Sequence, residues 1–354
     1  GVQTCALPIW QLTHPFPTRI EKLGSSEAHL SFPLALSSHG RSRIAKIFEG
    51  IPISSRETLT GKQTIMDWQG HTDGTPWMQR QLITLLRTLP LQFIYAVVAL
   101  VVPGYLVFRP GARHQYRFFR HQLGFSPLKA ARMTVVNHYR FGQIMIDRFA
   151  AFAGRKFRFT IEGEAHFDHL VQQPESFALL SAHIGCYELS GYTLRPEGKQ
   201  IFALVFAHET AVVAEGRQSQ FAHTGVRMVP IADDMSHLFL LSEALAQGHI
   251  VSFPADRHLP AERTLEVPFF RGKASLPHGP FALIARRKLP TLVLSAMKTS
   301  THHYRLFVDP LSMPEPSLPM AQRAEALATA YAAVLQQRVT QYPAQWFNFF
   351  PFVH

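Results

Sequence analysis

The feature that most limits what this chain can fold into is an alternation beginning near residue 157. There, short β-branched or apolar runs take turns with stretches of helical period. The runs predict strands at 157–161, 177–182, 201–206, 250–253, 291–296 and 304–308, and the stretches between them predict helices near 188–194, 210–223, 235–247, 280–287 and 319–339. Parallel strands need a crossover, usually a helix, so this order predicts a single α/β domain with a mixed, largely parallel sheet flanked by helices. Upstream, Ser126 followed by Pro127 reads as an N-cap with proline at the first helical position, opening a helix to about Ala153 that Gly154 can end. No internal repeat or low-complexity tract appears after residue 66.

With 354 residues, 47% of them hydrophobic and 17% charged, the chain can bury a core and is too apolar to stay disordered. Its two cysteines, Cys5 and Cys186, build neither a disulfide framework nor a multi-cysteine zinc site. The net charge of +11 raises the question of nucleic acid, but no basic helix or aromatic RNA-binding strand is present, so no nucleic-acid partner is expected. Membrane electrostatics explain the charge better. Residues 89–108 carry no charge, and twenty residues at helical rise reach about 30 Å, enough to span a bilayer core. Pro90, Pro103 and Gly104 interrupt the run, which leaves three readings open: a membrane span, an interfacial anchor or a buried core helix. Arg80 and Arg87 precede it, whereas Arg109, Arg113, Arg117, Arg120, Lys129 and Arg132 follow, so a span would leave the bulk of the protein in the cytoplasm.

The first nine residues resemble the translated sequence of a short-read sequencing adapter, and the first methionine is Met66. Residues 10–65 scatter Pro, Ser, Gly and His without a sustained period, so translation is expected to start at Met66. The expected organisation is an artefactual or disordered leader at 1–65, an N-terminal region at 66–125 with a hydrophobic anchor at about 82–108, and the α/β domain at 126–354. From Met66 onward the net charge is still +8.

The stretch FALLSAHIGCYELSGY at 177–192 runs an apolar strand into His183, passes Gly185, and enters a helix near Glu188. On one continuous helix His183 and Glu188 would sit about 140° apart, so they meet only if Gly185 turns the backbone between strand and helix. A histidine at the carboxyl end of a strand lies where α/β folds bind ligands, and a neighbouring carboxylate can hold its tautomer. Such an imidazole can take a proton from an attacking hydroxyl. Taken alone, a His-x4-Glu spacing among 19 histidines is a weak signal.

Four segments, SAHIGCYE, GHIVSFPADRHL, VPFFRGKASLPHGPFALIARR with KLPTLVLSAMK, and PAQWFNFFPFV, appear in this order. Together they resemble the bacterial lipid A biosynthesis acyltransferases of the lysophospholipid acyltransferase superfamily, over residues 66–354. The resemblance implies catalysis by His183 and Glu188, and it places the family's later blocks on Asp256 with Arg257, on Pro277 and Gly279, and on Pro290. Cys186-Tyr187 stands where the family commonly has Asn-Trp, and Asp256-Arg257 where its lipid A enzymes often have Asp-Gln.

Each candidate has a plainer alternative. Arg257 clamps a phosphate or carboxylate, or pairs with an acid such as Asp256. Asp256 orients that arginine, or caps its loop. Gly185 and Gly279 let a ligand approach the backbone, although Gly279-Pro280 also reads as a helix start. Arg271 and Lys273 meet an acidic carrier or anionic headgroups, or are solvated. Cys186 is a rival nucleophile, or a small buried thiol. A metal held by His183, Glu188 and either His302 or His303 has no supporting ligand spacing, so neither metal nor cofactor is expected. The closing aromatics, Trp346, Phe347, Phe349, Phe350 and Phe352, form a core or a membrane-facing patch and suit an interfacial tail.

The resemblance thus implies an acyltransferase at the cytoplasmic face of the bacterial inner membrane. It would move a fatty acyl chain from an acyl carrier protein or acyl-CoA to a membrane lipid of lipid A type. A lysophospholipid or aminolipid acceptor is one alternative, and a membrane lipid-binding protein that has lost catalysis is the other.

Overall fold

The computed structural model describes residues 76–108, 111–191, 193–205, 224–231, 236–258 and 262–354, with Gly216 and Phe221 between them. The expected leader, Met66 and most of the predicted helix at 210–223 lie outside the described residues.

Among the described residues three helices come first: α1 (Pro76–Thr88), α2 (Leu91–Phe108) and α3 (Gly111–Arg117), the last running into a π-helical turn at Phe118–Gln122. The long helix α4 (Pro127–Phe152) follows, with the side chain of Ser126 accepting from the Lys129 amide and Pro127 at the first position, as its sequence predicts. Then come β1 (Arg158–Glu162), α5 (Glu164–Gln172), β2 (Phe177–Gly185), α6 (Tyr187–Ser190), β3 (Ile201–Val205), β4 (Val226–Pro230), α7 (Ser236–Ala246) and β5 (Ile250–Pro254). The chain closes with β6 (Thr264–Phe269), β7 (Gly272–Pro277), α8 (His278–Arg287), β8 (Thr291–Lys298), β9 (His303–Pro310) and α9 (Met320–Gln341).

Seven strands form one sheet in the order β1-β9-β8-β2-β5-β3-β4, while β6 and β7 make a separate hairpin. Every neighbouring pair in the large sheet is parallel except β8 with β9. The sheet is therefore mixed and largely parallel, as expected. β2 and β8 are central strands covered on both faces, which is why they read as continuous apolar runs rather than alternating ones. Ala178, Leu180 and Ala182 of β2 pack with residues of α7, α8 and α9, whereas Phe177 and Leu179 pack with residues of α4 and α5. The result is an α/β/α sandwich with β2 in its middle layer.

The hydrophobic anchor expected at about 82–108 is split between two helices, and the charge-free run is α2 from Leu91 onward. Leu89 and Pro90 separate α1 from α2, and the 18 residues of α2 are about 27 Å long at helical rise. Among the described residues no helix is long and apolar enough to cross a membrane. One stripe of α2, Leu91, Ile94, Tyr95, Val98 and Val102, is buried in a cluster with Ile146, Phe149 and Ala150 of α4. The opposite stripe includes Phe93 at 58% and Leu100 at 81% exposure.

A buried polar knot fastens this helix to the domain. The Asp147 carboxylate of α4 pairs with the Lys298 ammonium of β8 and accepts from the hydroxyls of Tyr95 in α2 and Tyr304 in β9. Lys298 also donates to the Tyr95 oxygen at 3.1 Å and to the Thr301 carbonyl at 3.1 Å. Burial raises the Asp147 pKa and lowers that of Lys298, and the mutual attraction opposes both shifts.

Candidate active site

The site begins with an irregularity in β2. Ser181 pairs with Leu294 and Gly185 with Ala296, so four steps along β2 answer two along β8. The surplus residues form a bulge that takes the chain out of register, and His183 lies within it. Gly185 ends the bulge at φ 57°, where a Cβ would lie 2.0 Å from the Ala296 carbonyl oxygen, so only glycine fits. The Cys186 amide then donates to that same carbonyl at 2.8 Å as the chain turns into α6.

The partner of the imidazole comes from the neighbouring parallel strand. The Ala255 amide donates to the Ser181 carbonyl at 2.9 Å, carrying the β2–β5 pairing one residue past β5 and bringing Asp256 beside His183. Asp256 Oδ1 accepts from His183 Nδ1 at 2.8 Å, and Oδ2 accepts from the His183 backbone amide at 2.9 Å. The His183 carbonyl accepts from the Phe347 amide at 3.1 Å. Both main-chain groups of His183 and one ring nitrogen are thus fixed, while the side chain keeps 15% of its surface exposed.

Burial and the nearby Arg257 charge lower the His183 pKa, against the opposing pull of Asp256 and Glu188. Burial alone would raise Asp256, but the charge and hydrogen bond of His183, with Arg257, hold it below the ordinary carboxylate range. An ionised Asp256 assigns the ring proton to Nδ1 and leaves Nε2 as the basic nitrogen.

Glu188 therefore does not occupy the position the His-x4-Glu spacing implies. Its Oε2 lies 2.7 Å from Nε of Arg148 in α4, because the chain leaves Gly185 into a short helix whose second residue meets α4. Asp256, expected beside Arg257 or capping its loop, takes the imidazole instead. Arg257 Nη2 donates to the Phe347 carbonyl at 2.9 Å, and its guanidinium lies 5.7 Å from the Phe350 ring centre. Gly279 sits in the first turn of α8, where a Cβ would meet only Glu262 Oε1 at 3.9 Å, so nothing there demands glycine. Arg271 occupies the β6–β7 turn, donating to the His121 carbonyl and, through its amide, to Gln122 Oε1. Lys273 pairs with Glu266 at 3.4 Å on the exposed face of the hairpin.

Cys186 is buried, and desolvation pushes its thiol well above the ordinary range, which does not suit a nucleophile. His303 hydrogen-bonds Thr160 and Thr299, and among the described residues no group of three His, Cys, Asp or Glu is placed to hold a metal. The closing aromatics are core rather than an interfacial tail. Trp346, Phe347 and Phe352 are 1%, 4% and 6% exposed, packed against Phe118, Phe141 and Phe269. The reason is local: Asn137 and Gln115 both donate to the Trp346 carbonyl, and isolated bridges tie Trp346 to Ile184 and Val353 to Ala274, strapping the tail across the domain. Sequence reasoning missed Arg148 altogether and read Phe347 only as one of the closing aromatics, since no local pattern links either to residue 183.

An imidazole oriented by a buried carboxylate at the carboxyl ends of two central parallel strands suits an enzyme that activates a hydroxyl for group transfer. The profile of the bacterial lipid A biosynthesis acyltransferase family matches residues 133–351, and the chain belongs to that family. It is a lipid acyltransferase. Among curated proteins none matches its sequence. Among solved structures it is similar to the 1-acyl-sn-glycerophosphate acyltransferase of Thermotoga maritima, with 13% identity and a TM-score of 0.31 over 77% of this chain and 99% of that one.

Proposed function

We propose that the protein moves a fatty acyl chain from a thioester on acyl carrier protein or CoA to a hydroxyl of a lipid A-type acceptor, with His183 as general base. The hydrogen bond between Asp256 and His183 Nδ1 carries this reading, because it leaves Nε2 basic and directs it away from Asp256. His183 Nε2 takes the acceptor's proton as its oxygen adds to the thioester carbonyl. The tetrahedral intermediate then collapses, the carbon–sulfur bond breaks, and the departing thiolate recovers the proton from the imidazolium. Asp256 stabilises that imidazolium, and the Arg257 charge favours the anionic intermediate or a phosphate on either substrate. The lowered pKa keeps the base unprotonated near neutrality.

We further propose that the protein works on the cytoplasmic face of the bacterial inner membrane, with α2 lying in the plane of the interface. Residues 74–146 contain nine Lys or Arg and no Asp or Glu. The same stretch exposes Trp77, Leu85, Phe93, Leu100, Leu128 and Val135. Apolar side chains among cations unrelieved by acids suit an anionic leaflet.

Purified protein given labelled acyl donor and a panel of lipid acceptors is expected to transfer the label, and His183→Ala to lower the rate by about 100-fold or more. Full activity in that variant rules out the mechanism. Absence of transfer to every acceptor favours the lipid-binding alternative.

A further inference from the structure

Past the pair Gly185–Ala296, β2 turns away into α6, and among the described residues no strand lies beside the end of β8 on that edge. Lys298, the last residue of β8, is 3% exposed, so its main-chain amide and carbonyl need partners other than water. Gln345 supplies both. Its Oε1 accepts from the Lys298 amide at 2.9 Å, and its Nε2 donates to the Lys298 carbonyl at 2.8 Å. We propose that Gln345 is a positioning residue for acyl transfer: its carboxamide stands in for the departed strand and sets the closing segment where Phe347 holds both His183 and Arg257. This rests on the reading of His183 as the base.

A primary amide carries a donor and an acceptor side by side, the same two groups that a strand residue offers along its edge. Gln345 is itself buried, and its main-chain amide donates to the Tyr342 carbonyl at 2.9 Å, closing the short turn Pro343–Gln345 that follows α9. The next residues reach the site directly. Trp346 bridges Ile184, and the Phe347 amide donates to the His183 carbonyl at 3.1 Å. The Phe347 carbonyl accepts from Arg257 Nη2 at 2.9 Å. Gln345 and Phe347 are two residues apart, so a slip at Lys298 carries Phe347 out of hydrogen-bond reach.

The His183 backbone is thus gripped from two sides. Asp256 binds its amide, as well as the ring, and Phe347 binds its carbonyl. A bulged residue lies outside the regular ladder, so these main-chain anchors decide where its side chain points. The hydrogen bonds from Gln115 and Asn137 to the Trp346 carbonyl tie the segment to α3 and α4, whereas Gln345 ties it to the sheet that carries the base. A displacement of about 1 Å at a reacting group can cost on the order of 100-fold in rate. Loss of the sheet tie should therefore show in kcat before it shows in the fold.

The test joins amide hydrogen exchange to kinetics in the full-length protein, using Gln345→Met, which keeps the length of the side chain and removes the amide. Without substrate, exchange in 182–186 and 345–348 is expected to quicken at least about tenfold, while β1 and β4 at the far edges of the sheet exchange as in wild type. In acyl transfer, kcat should fall about tenfold with KM for the acceptor within about twofold. Added to His183→Ala, the same change should cost no more than about threefold, because the base it positions is gone. Faster exchange throughout the sheet marks a purely structural role and overturns the proposal, as does unchanged exchange in 182–186 or an unchanged kcat. If Gln345→Met does not fold by circular dichroism, Gln345→Glu decides, since at neutral pH it keeps the acceptor and loses the donor. Local quickening with a lowered kcat supports the proposal, and the absence of either overturns it. Exchange needs no turnover, so a wild type that acylates no acceptor ends the functional reading, while the exchange pattern still decides whether Gln345 holds the bulge.

Discussion

At the scale of single residues, the site is a competition among charges for one imidazole. Asp256 wins Nδ1 because it is wholly buried and binds both the ring and the backbone amide of His183. Replacing it by Asn keeps the shape but can present an amide N–H to the ring, which favours the wrong tautomer. Asp256→Asn is therefore expected to cost about 100-fold or more in kcat with little change in KM, read by steady-state acyl transfer. The pH dependence has a definite sign. His183 titrates below its ordinary value, so the acidic limb of the rate profile should lie below pH of about 6.5. Stability follows the same direction. A histidine held neutral in the fold stabilises above its unfolded pKa, and the unfolded chain gains by binding a proton as pH falls from there. Asp256, held low, adds stability that is lost only at more acidic pH, as it falls through the folded pKa.

At the scale of elements, the bulge in β2 is the device that turns a buried strand into a site. Its geometry depends on Gly185, where a Cβ would enter the Ala296 carbonyl at a positive φ. Gly185→Ala should destabilise the protein by more than about 2 kcal/mol in chemical denaturation, and lower kcat in whatever fraction folds, since His183 and Cys186 flank the displaced backbone. Much of this level is legible in the chain. The apolar runs mark the described strands to within a residue or two for most, and Ser126-Pro127 marks the start of α4. β4, β6, β7 and α5 escape that reading. Val226–Pro230 and Thr264–Phe269 both contain proline, which counts against a strand, and both alternate in burial instead of forming a solid apolar run. Helix α6 is shorter than its sequence suggests, ending at Ser190 before the glycine.

At the scale of the whole molecule, the N-terminal helices and the sheet are joined where it costs most to part them. The Asp147–Lys298 pair is almost completely buried, and its hydroxyl partners come from α2 and β9. The buried stripe of α2 is therefore committed to the domain, and the exposed stripe carrying Phe93 and Leu100 is the one that the proposed membrane contact would use. Binding to vesicles containing anionic phospholipid is expected to exceed binding to zwitterionic ones at least tenfold in sedimentation, and to weaken as salt is raised. Phe93→Asp with Leu100→Asp should abolish it while leaving circular dichroism unchanged. Equal binding to both vesicle types would remove the electrostatic part of the reading.

What the amino-acid sequence determined by itself was the fold class, the central strands, and the placing of a histidine at the end of one of them. Those properties rest on local propensity and on the burial pattern of consecutive residues, which survive in one dimension. Which carboxylate faces that histidine was decided only by the tertiary structure. Residue 188 is five positions away and residue 256 is seventy-three, yet pairing of adjacent parallel strands brings the distant one to Nδ1, while the turn at Gly185 sends the near one to Arg148. The fate of the closing aromatics was decided in the same way. Their composition suits an interface as well as a core, and it is the hydrogen bonds from Asn137 and Gln115 to the Trp346 carbonyl that draw them inside.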